Sequence, residues 1–230
     1  MQFQNEQDIY GRMLVLTGNP IFNNLRNAVD NYNADFTDAL SWGQLKSKRW
    51  LVSELEKINE PLGTVFLCAG WYATLASMLF NSKLDIDKMR SFDIDESCLE
   101  IADCMNKESV KDNWKFKAIT QDIYDINYKE HTWQAWSKAN NRLSRPITDV
   151  PNTIINTSCE HLEEFDKWYN SIPKGKLVVL QTNNFLEIPD HVNCSNTLEE
   201  FSDSAPMSLI LYEGELELNK YTRFMKIGLR

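Results

Sequence analysis

Few features of this sequence belong to a secreted or membrane-spanning protein. Its five cysteines are an odd number without a Cys-x-x-Cys pair, which argues against a disulfide framework or a zinc site and indicates reduced thiols. No apolar run approaches the roughly 20 residues that span a bilayer, and the first residues include acids rather than a cationic, apolar leader. We therefore expect a cytoplasmic protein with no membrane partner.

Positive charge is also scarce, because 24 Lys and Arg stand against 33 Asp and Glu and give a net charge of −9. Phosphate contacts need clustered cations, so general nucleic-acid binding is not expected, although Lys46, Lys48 and Arg49 form a local basic strip. A chain of 230 residues with 43% hydrophobic side chains is long enough for one domain with a sizeable core.

Beyond the first 40 residues, short apolar runs alternate with amphipathic stretches. The pattern predicts strands over residues 64–70, 90–95, 114–122, within 151–161 and over 176–184, and helices over 41–58, 71–83, 96–107 and 161–172. Such alternation predicts an α/β fold with a doubly wound, mostly parallel sheet. Residues 128–148 and 185–206 have no clear period and are expected to be irregular.

Two segments near the C-terminus, residues 209–218 and 221–229, alternate in the manner of strands. The link between them is too short for a crossover helix, so we expect an antiparallel hairpin at one sheet edge. At the other end of the chain, residues 1–40 contain apolar positions at helical spacing. We expect an N-terminal helical extension or lid over 1–40 and the main domain over 41–230.

The turn after the first predicted strand is the first candidate site. In a doubly wound sheet, ligands bind beyond the carboxyl ends of the strands. Against the pattern Gly-x-Gly-x-x-Gly/Ala, the segment Cys68–Ala73 keeps the central Gly70 and the final small residue, whereas Cys68 takes the first glycine position. Gly70 is expected to let the backbone approach a ligand closely. An ordinary strand-to-helix turn is the alternative interpretation.

Acidic residues follow the next two strands. Asp93 lies 23 positions after Gly70, close to the spacing of about 20 at which a carboxylate accepts the hydroxyls of a ribose. Asp122 follows the third strand and is a candidate to accept a hydrogen bond from an adenine amino group, with Ile123 beside it. Asp95 is interpreted as a cap of the following helix.

The series FLCAGWYA, RSFDIDESCLEIAD, AITQD and NTIINTSCEHL, followed by the terminal hairpin, resembles the class I S-adenosylmethionine-dependent methyltransferases over roughly residues 41–230. The set also resembles small methyltransferase-like proteins encoded by tailed phages, which would place it in the host cytoplasm. The resemblance implies a Rossmann-like, seven-stranded sheet whose last strand is antiparallel, and S-adenosyl-L-methionine as cofactor.

Two departures from the family pattern stand out. Phe66 and Leu67 occupy the place where the family has an acid at the end of the first strand, and bulky Trp71 and Tyr72 stand in the turn. We expect these two aromatic side chains to form a wall or lid over the cofactor. The resemblance implies the following cofactor-binding residues: Cys68, Ala69, Gly70, Trp71, Tyr72, Asp93, Ile94, Asp122, Ile123, Gln44 and Lys48. Gln44 and Lys48 share one helix face and are expected to bind the amino-acid end of the cofactor.

The end of the fourth strand carries the catalytic candidates, which are Asn156, Glu160 and His161. By its position in the family, Asn156 is expected to meet the substrate or the methionine moiety. A histidine titrates near neutral pH and can take a proton from an amine or hydroxyl, while Glu160 can orient a cation or act as base. Cys159 is interpreted as a buried thiol, and no metal site is assigned because His131 and His191 show no ligand spacing.

The leading hypothesis is methyl transfer from S-adenosylmethionine to a small polar acceptor. One alternative keeps the cofactor and transfers its aminobutyrate arm, as in enzymes resembling nicotianamine synthase. Another is an NAD-dependent oxidoreductase, since Gly70 and Asp93 would serve equally there. The last is a non-catalytic protein that retains the sheet. Arg223 is a candidate contact for an anionic acceptor, although an arginine at a sheet edge is usually solvated.

Overall fold

A seven-stranded sheet forms the centre of the computed structural model, which describes residues 9–137 and 140–230. Its strands, in chain order, are β1 (Gly63–Cys68), β2 (Ile86–Asp93), β3 (Phe116–Thr120), β4 (Thr153–Asn156), β5 (Leu177–Asn183), β6 (Leu209–Glu217) and β7 (Thr222–Leu229). Across the sheet they lie in the order β3-β2-β1-β4-β5-β7-β6. The strand order reverses between β1 and β4, where a doubly wound sheet places its ligand.

Strand β7 is the antiparallel member of this sheet. It pairs antiparallel with both β5 and β6, whereas β1 to β5 pair in parallel with one another. The predicted doubly wound sheet with a C-terminal antiparallel hairpin is therefore confirmed. The insertion of β7 between β5 and β6 also distinguishes this sheet from the all-parallel 3-2-1-4-5-6 order of NAD-binding domains.

Helices cover both faces of the sheet. They are α1 (Ile9–Thr17), α2 (Ile21–Asn31), α3 (Phe36–Ala39), α4 (Trp42–Ile58), α5 (Thr74–Phe80), α6 (Ser97–Met105), α7 (Lys107–Lys111), α8 (Phe165–Ser171) and α9 (Leu198–Ser204). Ser41 caps α4 by accepting the Gln44 N–H at 3.4 Å. Within the described ranges, none of these helices has the length and apolar character needed to cross a membrane.

Two apolar clusters fill the space between the helices and the sheet. The first joins α4 and α5 to alternate residues of β1, β4, β5 and β7, such as Leu51, Leu67 and Met225. The second lies on the other face, where α8 contributes Trp168 and β1 contributes Phe66. Because neighbouring strand residues point to opposite faces, Gln181 and Arg223 share the α4 face with Val179 and Met225, and the Gln181 amide donates to the Ser47 carbonyl of α4 at 3.2 Å.

The region expected to be irregular at 128–148 contains short strands. His131–Trp133 pairs with Ile147–Asp149, and Trp136–Ser137 pairs with Arg142–Leu143. Asp149 anchors the segment to β2, because its buried carboxylate accepts hydrogen bonds from Arg90 at 2.7 Å and from Trp133 at 2.8 Å. The helix α9 within 185–206 was also missed by the sequence pattern, which there shows a short, mostly polar segment.

Candidate active site

The turn between β1 and α5 has an unusual backbone. Ala69, Trp71 and Ala73 have φ values of 50°, 48° and 52°, which are uncommon for residues other than glycine. Two hydrogen bonds hold the turn, from the Gly70 N–H to the Phe92 carbonyl at 3.0 Å and from the Trp71 N–H to the Asp93 carboxylate at 2.7 Å. Because Ala73 is left-handed, α5 begins at Thr74 and not at residue 71 as predicted.

Gly70 is needed for packing within the protein. A Cβ at this position would lie 2.0 Å from Ser91 Oγ and 3.3 Å from the Leu67 side chain. The absence of a side chain at Gly70 lets the turn lie against β2, which brings Trp71 to Asp93. The expectation that the backbone at Gly70 approaches a ligand closely stays a prediction.

The two aromatic residues of the turn stack on each other with ring centroids 4.5 Å apart. Tyr72 is buried and also contacts Phe36 of α3 at a centroid distance of 5.5 Å. Trp71 lines a space of about 10 Å³ together with Asp93 and Thr120, which is the room that one water molecule needs. The space beside Asp93 is therefore too small for an adenosyl group in this conformation.

Asp93 ends β2, as predicted, and its carboxylate is half-buried. One oxygen accepts the Trp71 N–H at 2.7 Å and the other accepts the Asp95 N–H at 3.1 Å. An ionised carboxylate has about four acceptor positions, so about two remain for the hydroxyls of a ribose. The adjacent Ile94 is 73% exposed and borders the same edge.

Asp122 and Ile123 lie past the end of β3, in the turn Ile123–Asp125. Asp122 accepts the Tyr124 N–H at 2.9 Å and so caps this turn. Ile123 is buried against the second apolar cluster, as is Cys68, whose thiol is 3.4 Å from the Tyr128 hydroxyl. Burial raises the pKa of Cys68 to about 12. The side chains of Ile123 and Cys68 thus face the protein interior.

Gln44 and Lys48 share one face of α4 and are hydrogen-bonded to each other. Burial lowers the pKa of Lys48 to about 7, and repulsion from Arg223 adds to this effect, whereas the carboxylates of Glu160 and Asp38 oppose it. A lysine whose pKa is lowered to about 7 in this way gains and loses its proton at physiological pH. Such perturbed groups cluster at functional sites.

Glu160 and Arg223 form an ion pair in which Nη2 lies 3.1 Å from Oε1 and both side chains are almost fully buried. The Asn183 amide donates a second hydrogen bond to Glu160 Oε1, at 2.6 Å. Arg223 also donates to the Thr157 carbonyl at 2.8 Å. The alternative interpretation of a solvated Arg223 does not hold, because β6 rather than β7 forms the sheet edge and Arg223 is buried against the turn after β4. Its contact with an anionic acceptor stays a prediction.

The other catalytic candidates are Asn156, which ends β4, and His161, which lies in the turn after it. Asn156 pairs across the sheet with Cys68 and is fully buried; its Oδ1 accepts the Ser158 N–H at 2.8 Å, while its Nδ2 has no partner. His161 is exposed, and its Nδ1 lies 3.0 Å from the Asp190 carbonyl. Burial raises the pKa of Cys159 well above its ordinary value, in keeping with a buried thiol.

Sequence reasoning assigned His191 to no site. The His191 ring lies 4.7 Å from that of His161, centroid to centroid, although 30 positions separate them in the chain. The segment after β5 folds back on the turn after β4, where the Asn193 N–H donates to the Glu160 carbonyl at 2.9 Å. No local signal in the sequence marks this return.

Solved structures of other proteins have a similar fold over most of this chain. The magnesium protoporphyrin IX methyltransferase ChlM from Synechocystis PCC 6803, crystallised with S-adenosylmethionine, aligns over 93% of this chain and 91% of its own with 14% identity and a TM-score of 0.54. The N-methyltransferase NodS from Bradyrhizobium japonicum WM9 aligns over 92% and 98% with 8% identity and a TM-score of 0.59. The small RNA methyltransferase HEN1 aligns over 78% and 25% with 15% identity and a TM-score of 0.54.

Sequence comparison adds nothing to this structural likeness: no protein-family model matches the chain, and no curated protein matches it. The structural matches extend over 91% of the chain of ChlM and 98% of the chain of NodS. The protein therefore has the fold of the class I S-adenosylmethionine-dependent methyltransferases.

Proposed function

We propose that this protein transfers a methyl group from S-adenosylmethionine to a small polar acceptor. The observation that carries the proposal is the sheet order β3-β2-β1-β4-β5-β7-β6, with a half-buried carboxylate, Asp93, at the end of β2. ChlM and NodS, which align over almost their whole length, are methyltransferases crystallised with S-adenosylmethionine or S-adenosylhomocysteine.

The donors and acceptors at the carboxyl edge suit the three parts of this cofactor. Asp93 retains acceptor positions for the ribose hydroxyls, and Asp122 and Ile94 lie on the adenine side. Gln44 and Lys48 on α4 bind the amino-acid end of the cofactor. We expect the Trp71 side chain to turn away from the space of about 10 Å³ that it lines with Asp93, which would make room for the cofactor.

The cofactor supplies a methyl group already activated by a positively charged sulfur. The protein's own task is then to hold the acceptor in line and to remove its proton. His161 is exposed and able to accept that proton. Glu160, already paired with Arg223, serves to position groups rather than to take a proton, and the unpartnered Asn156 Nδ2 is a donor for the acceptor.

The described part of the N-terminal extension supports its role as a lid. Phe36 of α3 contacts Tyr72 in the turn after β1, and Ala28 of α2 belongs to the same buried cluster. Movement of these helices would be coupled to movement of Trp71 through the stacked pair of aromatic rings. We propose that the extension covers the cofactor and that the enzyme acts in the cytoplasm, encoded by a phage as the sequence resemblance suggests.

Calorimetric titration with S-adenosylmethionine, S-adenosylhomocysteine and NAD tests the proposal. We expect both sulfur nucleotides to bind and NAD not to bind. Asp93→Ala should weaken the binding about tenfold or more, since hydrogen bonds to a charged group contribute about 1.5–3 kcal/mol each. Asp87→Ala, at the exposed opposite end of β2, is the matched control. Binding of NAD alone, or of none of the three, would overturn the proposal.

Product analysis separates methyl transfer from its alternative. Incubation with a panel of small amines, phenols and carboxylic acids should yield S-adenosylhomocysteine together with a methylated acceptor. Release of methylthioadenosine would instead show transfer of the aminobutyrate arm. Binding of the cofactor without either product, across the whole panel, would favour a non-catalytic protein.

A further inference from the structure

Three potential metal ligands meet beside the turn after β4. Glu160, His161 and His191 each present one ligand atom, and these atoms all lie within 4.8 Å of one another. Glu160 and His161 are neighbours in the short helical turn Cys159–His161, and His191 comes from the segment after β5. Two imidazoles and one carboxylate on one side of a cation form a donor set typical of divalent transition metals.

Both histidines are oriented for metal binding by the main chain. His161 Nδ1 lies 3.0 Å from the Asp190 carbonyl and His191 Nδ1 lies 2.6 Å from the Phe185 carbonyl. A carbonyl only accepts hydrogen bonds, so each Nδ1 carries the proton and the neutral ring leaves Nε2 with a free lone pair. Metal-binding histidines almost always have such a partner on the second nitrogen.

The carboxylate of Glu160 points to the same site independently of the two histidines. Glu160 is 2% exposed, and its Oε1 is held by Arg223 at 3.1 Å and by Asn183 at 2.6 Å. Its Oε2, in contrast, is buried and has no hydrogen-bond partner. A buried acceptor without a partner is destabilising, and a cation between this oxygen and the two imidazoles would satisfy it.

The segment that brings His191 to the turn is fastened there. Asn193 donates its N–H to the Glu160 carbonyl at 2.9 Å and its side-chain amide to the Cys159 carbonyl at 3.1 Å. Thr182 Oγ1 binds the Asn193 carbonyl at 3.3 Å. The three ligands are thus held by backbone contacts on two sides, as a preorganised metal site requires.

We propose that Glu160, His161 and His191 bind a divalent transition-metal ion such as Zn²⁺, Mn²⁺ or Fe²⁺. Three protein ligands leave at least one position open, as in metal sites that act on substrates. The position suits an acceptor with an oxygen or nitrogen that can bind the metal, which would favour loss of its proton. The loss of the acceptor's proton rests on the proposed function, whereas metal binding itself does not. With a metal ion bound, His161 would be a ligand instead of the proton acceptor.

Titration of the EDTA-treated, full-length protein with Co²⁺ tests the site, because Co²⁺ absorbs visible light in a manner that reports its ligands. We expect one ion per chain, and a loss of affinity of about tenfold or more in His161→Ala and in His191→Ala, since even the partners of metal ligands contribute about 10–100-fold. Glu163→Gln, exposed in the same segment, is the matched control and should bind as the wild type does.

Two further measurements separate loss of the metal site from misfolding of a variant and from failure of the proposed function. His161 is exposed, so its variant should retain the wild-type circular dichroism spectrum and remain a valid test even where His191→Ala fails to fold. Titration with S-adenosylmethionine in the presence of EDTA examines the cofactor site without metal. No binding of Co²⁺ to the wild type, or equal binding to wild type and His161→Ala, would overturn the metal site and leave the cofactor result unaffected.

Discussion

Arg223 at the start of β7 and Glu160 in the turn after β4 form a buried ion pair, with Nη2 and Oε1 3.1 Å apart. The pair connects the antiparallel strand to the part of the chain that carries the catalytic candidates. Its guanidinium also holds the Thr157 carbonyl at 2.8 Å. The unusual position of β7 in the sheet is therefore what fixes the side chains of this edge.

Replacing Arg223 by methionine should be strongly destabilising. The substitution removes the only charged hydrogen-bond donor to the buried carboxylate of Glu160 among the described residues, and the loss of one partner of a buried pair is typically about 3–5 kcal/mol. In Glu160→Gln/Arg223→Met, the buried charge is absent, so most of that loss should be recovered. Urea unfolding of the two single variants and the double variant measures the coupling. Additive effects of the two substitutions would contradict the pairing.

The architecture was predictable from the sequence because the spacing of hydrophobic residues indicates which face of each helix or strand is buried. The runs around Phe66, Phe92 and Val178 predicted the parallel strands, and the short link at Asn219 predicted the hairpin. The positions of candidate residues in the fold were predictable only where they end strands, as for Asp93 and Asn156. The place of such a residue in the fold follows from where its own strand ends along the chain.

Contacts between distant segments were not predictable in this way. The approach of His191 to His161 depends on how residues 185–195 fold back, and it is set by backbone hydrogen bonds that leave no mark on composition. The steric role of Gly70 likewise depends on Ser91 of a neighbouring strand. A glycine motif in sequence therefore did not distinguish close packing from ligand binding.

Gly70→Ala should lower the free energy of unfolding by about 1–3 kcal/mol, the usual effect of overpacking. Its new Cβ would lie 2.0 Å from Ser91 Oγ, and the turn would have to move away from β2. Ser91→Ala removes that oxygen, so the double variant should recover part of the loss. Thermal unfolding of the four proteins makes the comparison. If Ser91→Ala gave no recovery, the contact with Ser91 would not be the cause.

Lys48 makes a prediction about pH. Its pKa is lowered to about 7 by burial and by repulsion from Arg223, while the unfolded chain keeps the ordinary lysine value near 10.4. Below about pH 7 both states are protonated and the folded state carries the full penalty. Between pH 7 and 10.4 the unfolded state binds more protons, so the contribution of Lys48 to stability rises with pH.

Lys48→Met should therefore stabilise the protein most at about pH 6, and its advantage over the wild type should shrink towards pH 10. Urea unfolding at several pH values measures this difference. Lys46→Met is the matched control, because Lys46 is exposed on the same helix and its replacement should give a difference without this trend. A constant difference for Lys48→Met across the range would show that Lys48 keeps an ordinary pKa in the folded protein.

Trp71→Ala should strengthen the binding of S-adenosylmethionine. In the free protein the indole lines a space of about 10 Å³ beside Asp93, so the wild type binds only in the fraction of molecules in which Trp71 has moved. The apparent dissociation constant is raised in proportion to the rarity of that fraction, and removing the side chain makes every molecule competent. Phe36→Ala, which loosens Tyr72 from α3 but keeps Trp71, should strengthen binding less. Calorimetry gives the affinities, and weaker binding by Trp71→Ala would mean that the indole contacts the bound cofactor and does not block its place.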